Sequence, residues 1–109
     1  MVANAVIQDI CDTIVTAFRP TKVILFGSCA QGTPTGDSDI DLLVVMPFDG
    51  SPIRQAATIS RHLRHNVPLD VMVRTPEFIR QRIALGDEFM REIVQKGRVL
   101  YDAADGRMG

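Results

Sequence analysis

Tryptophan is absent, and aromatic residues make up only 6% of the 109-residue chain. Single-stranded nucleic acid is gripped on aromatic stacking platforms, so that class of partner is unsupported. A net charge of −1 argues equally against strong binding to a phosphodiester backbone. Cysteine is scarce too: Cys11 and Cys29 stand alone, without CxxC spacing. Two such residues build no disulfide framework, and both are read as reduced thiols. No apolar run approaches the roughly 20 residues of a membrane span. The opening MVANAVIQDICD has neither the basic segment nor the long apolar segment of a secretory signal. The expected location is cytoplasmic. No GxGxxG occurs and no run of five like charges appears.

What is present is ordinary for a globular chain: 46% hydrophobic and 23% charged residues. The length predicts one domain, placed at residues 1–101, with the polar, glycine-containing stretch 102–109 as a frayed tail. The small net charge conceals two opposed halves. Residues 1–53 carry Arg19 and Lys22 against six Asp, whereas residues 54–98 carry nine Lys or Arg against five acids. An acidic half beside a basic half suits a metal site next to a phosphate or an acidic partner, although mixed solvated helix faces produce the same balance.

Hydrophobic spacing predicts a helix over 3–18 (Val6, Ile7, Ile10, Ile14, Val15, Phe18), stopped by Pro20. KVILF at 22–26 reads as a buried strand broken by Gly27-Ser28. Residues 29–32 suit one helical turn, and TPTGDS at 33–38 is a loop. A second strand follows at 40–46. Ser51-Pro52 opens a helix to about His65, with serine as N-cap and proline at the first helical position. The third strand is 69–73. Thr75-Pro76 repeats the start signal for a helix to about Leu85, and another helix runs to Lys96, with Gly97 as its C-cap. Arg98–Tyr101 forms a final strand, expected at an edge. Only eleven residues, 28–38, separate the first two strands, too few for a parallel crossover with its helix, so these strands are expected to be antiparallel. The helix-bearing connection before the third strand permits a parallel pair. The expected fold is α+β: a small mixed sheet of about four strands, with helices most economically on one face.

The chemistry sits at Asp39-Ile40-Asp41. A strand alternates its side chains, so Asp39 and Asp41 share a face at the head of an apolar strand. Two like charges there call for something positive, and a divalent cation such as Mg²⁺ takes one or two carboxylates plus substrate phosphates. Asp70, in the apolar run LDVMV, joins them if the third strand lies beside the second. Three converging carboxylates can hold two metals about 3.5–4 Å apart, the spacing used for displacement at phosphorus. Gly27 lets the backbone approach a ligand closely. Ser28 adds a hydroxyl and an exposed N–H, an anion site suited to a triphosphate.

Leu-Phe-Gly-Ser-Cys-Ala-Gln-Gly at 25–32 and Ser-Asp-Ile-Asp-Leu-Leu-Val at 38–44 resemble the motifs of the DNA polymerase β-like nucleotidyltransferase superfamily. The likeness is greatest to its smallest branch, the minimal nucleotidyltransferase (MNT) domains. It covers nearly the whole chain, with Leu69-Asp70-Val71 fitting the family's third acidic strand. The resemblance implies transfer of a nucleoside monophosphate, AMP from ATP by expectation, to a hydroxyl acceptor with Mg²⁺ in a two-metal site. Asp39, Asp41 and Asp70 would be catalytic and metal-binding, with Asp70 helping to deprotonate or position the acceptor. Gly27 and Ser28 would hold the β- and γ-phosphates. Such chemistry is mostly positioning and charge neutralisation. One departure is Gln31, where relatives often carry Arg; Lys22, Arg54, Arg61 and Arg74 are candidates for the phosphate-facing cation.

Other signals are discounted. Gly27-xxxx-Gly32 is followed by Thr33-Pro34 and lacks the lysine of a P-loop. His62 and His65 are read as solvated helix-face residues, and Cys29 as a small packing residue. A domain this short has no room for an acceptor-binding domain, so the acceptor is expected on a partner chain. The resemblance to MNT domains implies a helical HEPN-type partner, with this chain as antitoxin. Two other readings stay open: a non-catalytic module that neutralises a partner by contact, and an antibiotic-type transferase acting on a small molecule. An exposed final strand also leaves edge-to-edge homo-oligomerisation open.

Overall fold

The structure, a computed structural model, describes residues 4–27, 40–63 and 67–104, and the backbone of 107–108. The expected helical turn at 29–32 and loop at 33–38 lie outside the described residues. The elements are α1 (Asn4–Phe18), β1 (Lys22–Phe26), β2 (Ile40–Val45), α2 (Pro52–His62), β3 (Leu69–Arg74), α3 (Pro76–Ala84), α4 (Glu88–Lys96), β4 (Arg98–Asp102) and a two-residue β5 (Arg107–Met108). Helix α2 stops three residues short of the expected His65. β5 falls within the stretch read as a tail.

Local chemistry sets the helix starts. Ser51 Oγ accepts from the backbone N–H groups of Ile53 and Arg54, and Thr75 Oγ1 from that of Phe78. Each cap is followed by proline at the first helical position, where its missing N–H costs nothing. The start of α4 uses Asp87, whose carboxylate accepts from Met90 N–H at 3.0 Å and pairs with Arg82 Nε at 3.0 Å. Sequence reading treats Gly86-Asp87 only as a break, so this cap is an addition.

The Met90 N–H bond, followed by the bond from Arg82, holds the Asp87 carboxyl below the usual carboxylate value. A lowered pKa contributes stability that is complete above the ordinary carboxylate range and is lost as pH falls through the lowered value. We expect wild type to be more stable than Asp87→Asn at neutral pH, with the difference shrinking towards zero on acidification. Melting temperatures of the two proteins between neutral and strongly acidic pH check this. A constant difference would remove Asp87 from the acid response.

The sheet order is β3-β2-β1-β4-β5. β1 runs antiparallel to β2, with Lys22 opposite Val45 and Phe26 opposite Asp41, and antiparallel to β4 with a register shift between Val23 and Ile24. β2 and β3 are parallel. The connection lengths therefore led to the right pairings. Helices cover both faces, which corrects the one-face expectation. On one face α1 and α2 bury Ile7, Ile10, Ile14 and Ile59 against Val23, Leu25, Ile40, Leu42, Val44 and Val73. On the other, α3 and α4 bury Ile79, Met90 and Ile93 against Ile24, Leu43 and Val45. The reason is visible in β2: IDLLVV is apolar on both sides except at Asp41, and a strand apolar on both sides is buried on both. β4 is likewise not the edge, because β5 pairs beyond it.

Cys11 faces the α1–β core, and burial, with the Asp12 charge second, pushes its thiol up to about 11. It remains a protonated packing group. Gly97 does end α4, but not through left-handed backbone (φ −68°). A Cβ there would overlap Ile93 O and Ile24 Cγ2 and press on Leu25 O. Glycine lets the last turn of α4 dock directly on β1.

Candidate active site

β2 turns Ile40 into the α1/α2 core and Asp41 to the opposite face. In register, Asp41 has Phe26 of β1 on one side and Asp70 of β3 on the other. Registered neighbours in a sheet share a face, so the two acids stand side by side, one strand spacing (about 4.8 Å) apart at the backbone. Asp41 is half-buried and Asp70 exposed. Unit charges about 4 Å apart interact by about 1 kcal/mol in water and more where water is partly excluded.

Gly27 completes the local geometry. It follows β1 at φ 77°, a left-handed conformation that side chains other than glycine's rarely adopt. A Cβ on Gly27 would fall on Asp41 Oδ2. The carboxylate and the glycine main chain thus occupy one tightly shared space. Sequence alternation placed Asp41 and Asp70 together, and the parallel register does bring them together. Asp39 and Ser28 lie outside the described residues, as do Cys29, Gln31 and His65. Among the described residues no group of three or more His, Cys, Asp or Glu converges. The Asp41–Asp70 pair offers hard oxygen donors at adjacent positions, one of them open to solvent, which is chemistry that fits a divalent cation.

Of the cations named from sequence, Arg74 lines a cleft together with Asp70 and Phe26, and the others sit elsewhere. Lys22 is at the far end of β1, 3.6 Å from Asp102. Arg61 donates to Thr58 Oγ1 on its own helix. Arg74 donates to Val73 O and lies over the Phe78 ring, 5.8 Å from its centroid. Arg54 belongs to the first turn of α2. His62 is exposed on the last turn of α2, as expected, and its ring also packs edge-on against Phe18, centroids 4.8 Å apart. Beside Gly27 instead lies a cleft of about 190 Å³, lined by Phe26, Gly27, Phe89, Glu92, Ile93, Lys96 and Gly97. Phe89 meets Phe26 edge to face at 6.1 Å. Sequence reading missed this wall of the site; its one advance signal was a glycine ending α4 directly before a strand.

A five-stranded mixed sheet covered by helices on both faces, with Asp41 and Asp70 side by side beside the Gly27 turn, defines a small α+β domain. Residues 7–102 match the family model described as nucleotidyltransferase domain. A protein of Methanocaldococcus jannaschii named "Putative protein adenylyltransferase MJ0604" is 36% identical over 83 residues, 76% of this chain and 80% of that protein. A crystal structure described as a putative nucleotidyltransferase from Sulfolobus solfataricus shares the fold, with a TM-score of 0.62 at 21% identity over 92% of this chain and 80% of that one. The chain therefore belongs to the DNA polymerase β-like nucleotidyltransferase family and is a nucleotidyltransferase. No helix among the described residues is long and apolar enough to cross a membrane.

Proposed function

We propose that this protein is an adenylyltransferase that moves AMP from ATP onto a hydroxyl of a protein acceptor, using Mg²⁺. The observation that carries the reading is the Asp41–Asp70 register pair beside Gly27. The acceptor class is supported by the name of the M. jannaschii relative. Asp39, one alternation before Asp41 in sequence, is the third acid of the proposal, and Ser28 joins Gly27 in holding the β- and γ-phosphates. Bound at these acids, divalent cations would neutralise phosphate charge and hold the reacting groups in line. Asp70, open to solvent on the edge of the pair, orients the acceptor hydroxyl and takes its proton. The hydroxyl oxygen bonds to the α-phosphorus, the bond to the β-phosphate oxygen breaks, and pyrophosphate leaves. The resemblance to MNT domains supports a helical HEPN-type partner as the acceptor, with this chain as its antitoxin.

The direct test is melting temperature with ATP, with and without Mg²⁺, followed by transfer of label from α-labelled ATP to a candidate partner. Ligand at about 100 times its Kd adds about 2.7 kcal/mol, which in a domain of this size raises the Tm by about 10–20 °C. We expect a shift of that order that needs Mg²⁺. No Mg²⁺-dependent shift with any nucleoside triphosphate would overturn the reading.

A further inference from the structure

We propose that Lys96 binds the terminal phosphates of the nucleoside triphosphate and is the phosphate-facing cation of this site. The inference rests on the nucleotidyl-transfer reading and deepens it. The cleft beside Gly27 is lined by Phe26 and Gly27 at the end of β1 and by Phe89, Glu92, Ile93 and Lys96 of α4. Lys96 is the cation among these lining residues; Arg74 lines the adjoining cleft at Asp70, on the α-phosphate side, and none of Lys22, Arg54, Arg61 and Arg74 lines this one.

Its position is fixed by the docking of its helix rather than by contacts of its own. Met90 and Ile93 anchor α4 in the core of this face, and Gly97 seats the last turn on Ile24 and Leu25. The residue just before that seat is carried to the end of β1, next to Gly27. Gly27 in turn touches the Asp41 carboxylate. A triphosphate whose α-phosphate lies at the Asp41–Asp70 pair therefore has Gly27 and then Lys96 along its path.

The present partner of Lys96 is easily exchanged. Its Nζ stands 3.8 Å from Glu92 Oε1, and the two side chains are 71% and 59% exposed. Ion pairs this open contribute little, while a phosphate oxygen bearing full negative charge makes a shorter, charge-assisted bond to the ammonium group. Glu92 opposes the same phosphate by like charge.

These opposed charges give the test its sign. Titration calorimetry with Mg²⁺ present would measure ATP and AMP binding to wild type, Lys96→Ala, Lys96→Arg and Glu92→Gln. Losing a hydrogen bond to a charged group predicts that Lys96→Ala raises the Kd for ATP about tenfold. AMP, which lacks the terminal phosphates, should change by less than about twofold, since it never reaches this residue. Lys96→Arg restores ATP binding to within about threefold because its charge is kept. Glu92→Gln tightens it. In the transfer assay the Lys96→Ala loss falls on KM, with kcat close to wild type, as removal of uniform binding requires. A merely structural role at an exposed helix end would not give opposite signs at two neighbouring positions. Wild type that binds ATP beside a Lys96→Ala that binds it equally well would overturn this inference and leave nucleotidyl transfer standing. Equal weakening of ATP and AMP would also overturn it. Wild type that binds no triphosphate would overturn both.

Discussion

Asp41→Asn is expected to give a folded domain that no longer transfers nucleotide. The substitution keeps size and shape but removes one of two charges set side by side on β2 and β3. Electrostatic stabilisation of charge that develops at phosphorus is commonly the largest single contribution to catalysis, and loss of one such group costs about 10²–10³-fold in rate. A fall of at least that size is expected in label transfer from α-labelled ATP, together with loss of the Mg²⁺-dependent rise in melting temperature. The fold persists, because the apolar neighbours of Asp41 in β2 remain buried on both faces. Asp70→Asn should differ in kind. Asp70 is exposed and is proposed to act on the acceptor, so its loss should reduce turnover while ATP still raises the melting temperature. Transfer by Asp41→Asn at the wild-type rate would detach the carboxylate pair from the chemistry.

Gly27→Ala is expected to have the next largest effect, and it separates site geometry from site charge. An alanine at φ 77° costs about 1–3 kcal/mol of stability. The larger consequence is steric, since the new methyl group takes the space of Asp41 Oδ2 and pushes the carboxylate off its position. A displacement of about 1 Å in a reacting constellation can cost about 10²-fold. The variant should therefore melt about 5–20 °C lower and transfer roughly a hundredfold more slowly, a loss greater than its stability change explains at assay temperature. Full activity in Gly27→Ala would mean that Asp41 can relocate without penalty.

Much of this was legible in the sequence, and the limits have physical causes. Side-chain alternation put Asp70 on a definite face of its strand. The short connection before β2 points to antiparallel neighbours and the helical one after it permits a parallel pair, so periodicity brings Asp70 to Asp41 only once that pairing is made, as the register shows it is. Caps at Ser51 and Thr75 were equally local. Two-faced burial is signalled by residues 42–45 of β2, consecutive apolar positions that load both sides of the strand, a signal stronger than economy of layers. β5 has two residues and no periodicity to read. Lys96 and Phe89 could not be placed beside Gly27 from spacing, since some 60 residues separate them from it in the chain. Their position depends on α4 packing against β1 through a residue with no side chain. Asp39 and Ser28 rest on motif and alternation, outside the described residues.

The two carboxylates are mounted with unequal stiffness. β2 has hydrogen-bonded ladders on both sides, to β1 and to β3, while β3 has β2 as its one neighbour in the sheet order. Strands joined on one side open at lower free energy than strands joined on two. Asp41 is thus a fixed reference point against β1 and Gly27, and Asp70 stands on the strand that yields first. In the proposed reaction a pair built this way would hold the phosphate side still and let the acceptor side adjust to a bulky protein hydroxyl.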